Sequence, residues 1–92
     1  MSNILEEAQG LIYGDREDQY GHPAINLGNI AEQWSLYMRQ RHHVKVNLSG
    51  EDVCWMMTQI KMCRDYSGQK RDSIVDAAGY IGLIERVRER NG

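Results

Sequence analysis

Phenylalanine is absent from this 92-residue sequence, proline occurs once and cysteine twice. The aromatic content therefore rests on two Trp and five Tyr. The lack of any repeated or low-complexity segment excludes a repeat array or a flexible linker protein. No apolar run approaches the roughly 18 residues that a membrane span requires. The N-terminus reads Met-Ser-Asn-Ile-Leu-Glu-Glu, acidic where a secretory signal is basic. A net charge of −2 lacks the basic excess of a protein that coats nucleic acid, so no direct nucleic-acid binding is expected. These absences predict a cytoplasmic protein without membrane contact.

Apolar residues make up 41% of the chain and charged residues 26%, which predicts one folded domain over residues 1–92. A chain this short buries only about 60–65% of its unfolded surface, so self-association is expected to supplement its core. Cys54 and Cys63 stand nine residues apart within one predicted helix. That spacing puts them on opposite faces, about 13 Å apart along the axis, so they cannot bridge each other. Both read as small core residues in a reducing compartment.

Caps and apolar periodicity divide the chain into about four helices. Asn3, with Glu6 three residues on, caps a helix over 4–12 that Gly14 ends. Residues 13–23 are polar and bounded by glycines, and read as a loop with at most one helical turn. Pro23 suits the first position of a second helix over 23–41, carrying Leu27, Ile30, Ala31, Trp34 and Met38. A linker follows. Ser49 and Asp52 form a capping-box pattern for a third helix whose apolar body is Val53, Met56, Met57, Ile60 and Cys63. The fourth helix covers about 72–90, with Ile74, Ala77, Ala78, Ile81, Ile84 and Val87 predicted to face inward. The fold class is all-α, and the short connections predict an antiparallel bundle. Gly79, Gly82 and the neighbouring alanines permit close approach of another helix, read here as a second subunit.

The charge is unevenly placed. Residues 1–35 hold six acids and one base, whereas residues 36–92 hold seven acids and ten bases. Lys61 and Arg64 share one helix face, and Lys70 and Arg71 occupy the turn that delivers the chain to Asp72 and Asp76. Two carboxylates four residues apart project from one face and suit Mg²⁺, a hard cation that takes oxygen ligands. Four cations beside a helix start suit phosphate. His22, in the Tyr20-Gly21-His22 loop, suits a phosphate contact or a titrating group, and equally plain surface or an N-cap.

The strings Tyr-Gly-Asp-Arg (13–16) and Tyr-Gly-His-Pro (20–23), then Asn26, Ile30-Ala31 and Trp34-Ser35, resemble a family of small phage and prophage proteins. The likeness continues through Asp52-Val53, Met56-Met57, Lys61, Arg64 and the run from Asp72 to Tyr80. More distantly, the chain resembles the all-α nucleoside triphosphate pyrophosphohydrolases of the MazG type. That superfamily's Glu-Glu-x-x-Glu motif appears here as Glu6-Glu7 followed by Gly10, and its second acidic motif only as Asp72 and Asp76.

The resemblance implies an oligomeric nucleotide-binding protein in the host bacterial cytoplasm. As an enzyme it would cleave a nucleoside triphosphate to monophosphate and pyrophosphate, with Asp72 and Asp76 as catalytic residues. Asp52 would join them in holding Mg²⁺. Lys61, Arg64 and Arg71 would hold the phosphates, and Tyr20, His22 and Asn26 the remainder of the nucleotide. The alternative is a non-catalytic phage protein that sequesters a host nucleotide signal or inhibits a host defence protein.

Overall fold

The first helix begins where its cap predicts. In the computed structural model, which describes residues 2–91 without the side chains of Asp15, Arg16 and Asn91, the Asn3 side chain accepts the Glu6 N–H at 2.9 Å. Helix α1 then spans Ile4–Tyr13. Gly14 breaks the chain direction: a Cβ there would run into the carbonyl oxygen of Gly10, so any other residue would open the turn. Helix α2, Asp15–Tyr20, follows directly, so most of the segment read as a loop is a six-residue helix. Helix α3 spans Pro23–His42, with Pro23 in its first turn and His22 Nδ1 accepting the Ala24 N–H at 3.1 Å.

Helix α4, Gly50–Gly68, starts on the complete Ser49–Asp52 capping box. The Ser49 hydroxyl accepts the Asp52 N–H at 3.2 Å, and the Asp52 carboxylate accepts the Ser49 N–H at 2.8 Å. Only Gln69 and Lys70 separate it from α5, Arg71–Asn91. The described residues are thus all-helical, with four helices of ten residues or more and one of six, and no strand.

Helix α5 is the centre of the packing and touches α4, α1 and α3. It runs antiparallel to α4, as the pairs Lys61–Asp76 and Glu51–Arg88 show. It runs parallel to α1, with Arg71 meeting Glu7 at one end and Arg86 meeting the Ile12 carbonyl towards the other. The α3–α4 connection corrects the antiparallel expectation. The segment 43–49 returns along α3, where the Leu48 N–H donates to Ser35 Oγ at 2.8 Å, and Gly50 lies against Leu27 and Gly28. Seven extended residues reach about 23 Å, as far as some 15 helical residues, so α4 sets off in the same direction as α3. The core joins Leu27 and Ala31 of α3, Val53 and Cys54 of α4, and Leu83, Ile84 and Val87 of α5.

Five inward assignments change, two of them Met56 and Ile60 of α4, which are exposed. Ile74 and Ile81 of α5 are half-exposed, whereas Val75 and Leu83 are buried. Cys63 is exposed rather than in the core. Gly79 and Gly82 of α5 accommodate α1 of the same chain, where a second subunit was expected. A Cβ on Gly79 would make ordinary contact with Leu11 at 3.5 Å, but one on Gly82 would press into the Ile12 side chain, 2.9 Å from Cγ1. Gly79→Ala is therefore expected to stabilise the fold by up to about 1 kcal/mol through helix propensity. Gly82→Ala is expected to destabilise it by about 1–2 kcal/mol, because overpacking outweighs the same gain. Thermal melts of the two variants that shift in the same direction would contradict the close approach at Gly82.

Candidate functional site

A long concavity follows from the α3–α4 arrangement. Trp34 of α3 stands over a face of α4 formed by Met56, Gln59, Ile60, Cys63, Arg64 and Ser67, and Gly68, Lys70 and Ser73 close one end. These α4 positions recur at helical spacing, so the stripe read as an inward body splits in two. Val53 and Met57 serve the core, while Met56, Ile60 and Cys63 line a groove of about 880 Å³. Its walls are mostly apolar, and its charges are the two cations at the Gly68 end. Among the described residues, neither Arg64 nor Lys70 forms an ion pair.

The other residues predicted to bind ligand lie elsewhere. Lys61 Nζ donates to Asp76 at 3.1 Å, and its side chain is only 14% exposed, so this cation serves the α4–α5 contact. Beside it, Asp65 Oδ1 is buried without a hydrogen-bond partner among the described residues. Arg71 pairs with Glu7 and donates to the Ser2 carbonyl oxygen at 3.2 Å. Its guanidinium holds the Glu7 carboxyl below the usual carboxylate range. Tyr20 and Asn26 border a separate small hollow with Glu17 and Arg86, and His22 is engaged as the α3 cap.

A Mg²⁺ site on Asp52, Asp72 and Asp76 does not fit this donor set within one chain. Asp52 is held by its capping box, about 13 Å along α4 from the level of Lys61. Asp76 is already neutralised by Lys61, and Asp72 lies exposed at the start of α5. Among the described residues, no three His, Cys, Asp or Glu side chains gather closely enough to hold a metal ion.

Two residues carry more structure than their sequence context suggested. Arg86, only 11% exposed at its side chain, donates to the Ile12 carbonyl at 2.8 Å and to both Glu17 oxygens at 3.0 and 3.1 Å. It also lies over the Tyr13 ring, 5.2 Å from its centroid. Trp34 packs against the core, as its spacing predicts, and also forms a wall of the groove. A second apolar stripe on α4, alongside the core stripe, was the available sign that a groove needed a wall.

The two thiols differ sharply. Burial pushes the Cys54 thiol up to about 11, and the negative charge of Glu51 adds to the effect. Cys63 is exposed in the groove. Iodoacetamide is expected to alkylate Cys63 in the folded protein and Cys54 only after unfolding. Peptide mapping that found Cys54 modified first would contradict this packing.

Around this groove the described residues form an all-helical fold. Residues 3–88 match the family described as "Domain of unknown function (DUF6378)", and the chain belongs to that family. It is 42% identical over 88 residues to the "Gene 55 protein" of Mycobacterium phage D29, covering 95% of this chain and 54% of that relative. It is 36% identical over 87 residues to the "Gene 55 protein" of Mycobacterium phage L5, covering 94% and 53%. The chain thus spans about half the length of the curated relatives it matches. No solved structure matches significantly. Among the described residues, no helix is long and apolar enough to cross a membrane.

Proposed function

We propose that this phage protein binds a nucleotide in the α3–α4 groove and retains it without cleavage. The observation that carries this reading is the juxtaposition of an aromatic wall, Trp34, with two cations, Arg64 and Lys70, at one end of a mostly apolar groove. A groove of about 880 Å³ lies within the range of small-ligand sites, roughly 300–1,000 Å³. Trp34 offers a stacking surface for a base, Gln59 and Ser67 offer polar groups for its edge or sugar, and Arg64 and Lys70 neutralise phosphates. The engagement of Asp52 in a cap and of Asp76 with Lys61 supports retention over pyrophosphohydrolysis of the MazG type. In an infected cell, retention lowers the free concentration of a nucleotide signal.

The test is to incubate the purified protein with nucleoside mono-, di- and triphosphates in Mg²⁺ and to follow each by chromatography. The proposal expects intact nucleotide to co-elute with the protein and to be released on denaturation. Absence of any retained nucleotide contradicts it. Conversion to monophosphate and pyrophosphate also contradicts it, and would return Asp72 and Asp76 to a catalytic role.

A further inference from the structure

Helix α4 is apolar on more sides than its own chain covers. On the side towards α5, Trp55, Met62 and Tyr66 stand 45, 46 and 76% exposed, and Ile74 and Ile81 of α5 stand 46 and 48% exposed. The antiparallel packing sets them in one surface: Met62, Tyr66 and Ile74 border one hollow, and Trp55 and Ile81 border another. Trp55 and Met62 are seven residues apart, as are Ile74 and Ile81, which is the spacing of a helix-packing seam. A helix with apolar residues on more than one side is ordinarily buried on more than one side.

We infer that a second copy of this chain docks on this α4–α5 face, setting two helix pairs against each other as a four-helix layer. Three observations select a copy as the occupant. The five side chains expose on the order of 500 Å² per copy, so a pair buries about 1,000 Å², the lower bound for a specific interface. The face presents two helices with seven-residue spacing, so a second copy can set helix against helix in register. A two-fold contact sets like surface against like, and beside this face Glu51 pairs with Arg88 and Lys61 with Asp76, while Asp65 borders the Met62–Tyr66 hollow with its Oδ1 without a hydrogen-bond partner among the described residues. Glu85 and Glu89 remain at one edge, and an antiparallel two-fold arrangement keeps the two acidic edges apart. This interface is separate from the proposed nucleotide groove and stands or falls without it.

Sedimentation equilibrium at micromolar concentrations tests the inference. The wild-type chain is expected at twice the 10.6 kDa monomer mass. Met62→Lys and Ile81→Lys are each expected to weaken the dimer by roughly tenfold or more at unchanged helix content. Should either variant lose helix content, Tyr66→Lys, at the most exposed of the five positions, repeats the test without touching the core. Ile60→Lys, in the groove, is expected to leave the dimer intact. A monomeric wild type, a dimer indifferent to the face substitutions, or one disrupted by Ile60→Lys alone would overturn the inference.

Discussion

Replacing Arg86 with alanine is expected to lower the melting temperature by roughly 10–20 °C, the largest stability effect of any single charged residue in this chain. The side chain joins three elements, reaching from α5 to the Ile12 carbonyl of α1 and to both oxygens of Glu17 in α2. Its removal leaves the Ile12 carbonyl without this donor, strips Glu17 of its counter-charge and opens a void under Tyr13. Breaking a buried ion pair costs about 3–5 kcal/mol, and because Glu17 keeps partial contact with water we expect about 2–3 kcal/mol here. In a domain of this size each 1 kcal/mol corresponds to about 4–8 °C. Arg86→Lys is expected to recover only part of the loss, because an ammonium cannot span the carboxylate and the carbonyl with a planar fork. Calorimetric melts in which Arg86→Ala matched the wild type would show that the α1–α2 corner is held by apolar packing alone.

The contrast with Glu51–Arg88 shows why burial decides the magnitude. Hydrogen bonds from Arg88, and then from the Trp55 indole, hold the Glu51 carboxyl at about 2. The depressed folded-state value makes the pair's contribution present above the usual carboxylate range and lost as the pH falls towards 2. The Arg88 side chain lies largely in water, so salt screens the pair and its contribution is small.

What was legible in the sequence was local. Asn3, Ser49 with Asp52, and Pro23 announced three helix starts, because capping depends on residues within one turn of each other. The α5 register was not legible, because α5 carries apolar residues towards the core, towards α1 and towards solvent. Periodicity finds stripes without saying which one the chain covers, so Ile74 and Ile81 read as core. The direction of α4 was hidden because seven linker residues can either turn sharply or return along α3, and the Ser35–Leu48 hydrogen bond that marks the return spans 13 residues. The basic patch was half legible. Arg64 and Lys70 share the groove end as their sequence neighbourhood suggested, but Lys61 and Arg71 each meet an acid on another helix.

That division sharpens the expectation for binding. Arg64 and Lys70 are the groove's own cations, and charge-assisted hydrogen bonds contribute about 1.5–3 kcal/mol each. In a groove open to water the lower end of that range applies, or roughly tenfold per residue, and about 100-fold when both are removed. Lys61→Met separates site from scaffold. It breaks the pair with Asp76, so it is expected to lower stability while leaving nucleotide affinity within about twofold.

Isothermal titration calorimetry of nucleoside mono-, di- and triphosphates against wild type and the Arg64→Ala/Lys70→Ala variant is the most direct test of the groove. The groove account predicts a wild-type affinity that rises with phosphate number, and a roughly 100-fold loss for triphosphates in the double variant, with Lys61→Met unaffected. Equal affinity of wild type and double variant for a triphosphate, at unchanged helix content, would contradict it and place the ligand outside the α3–α4 groove.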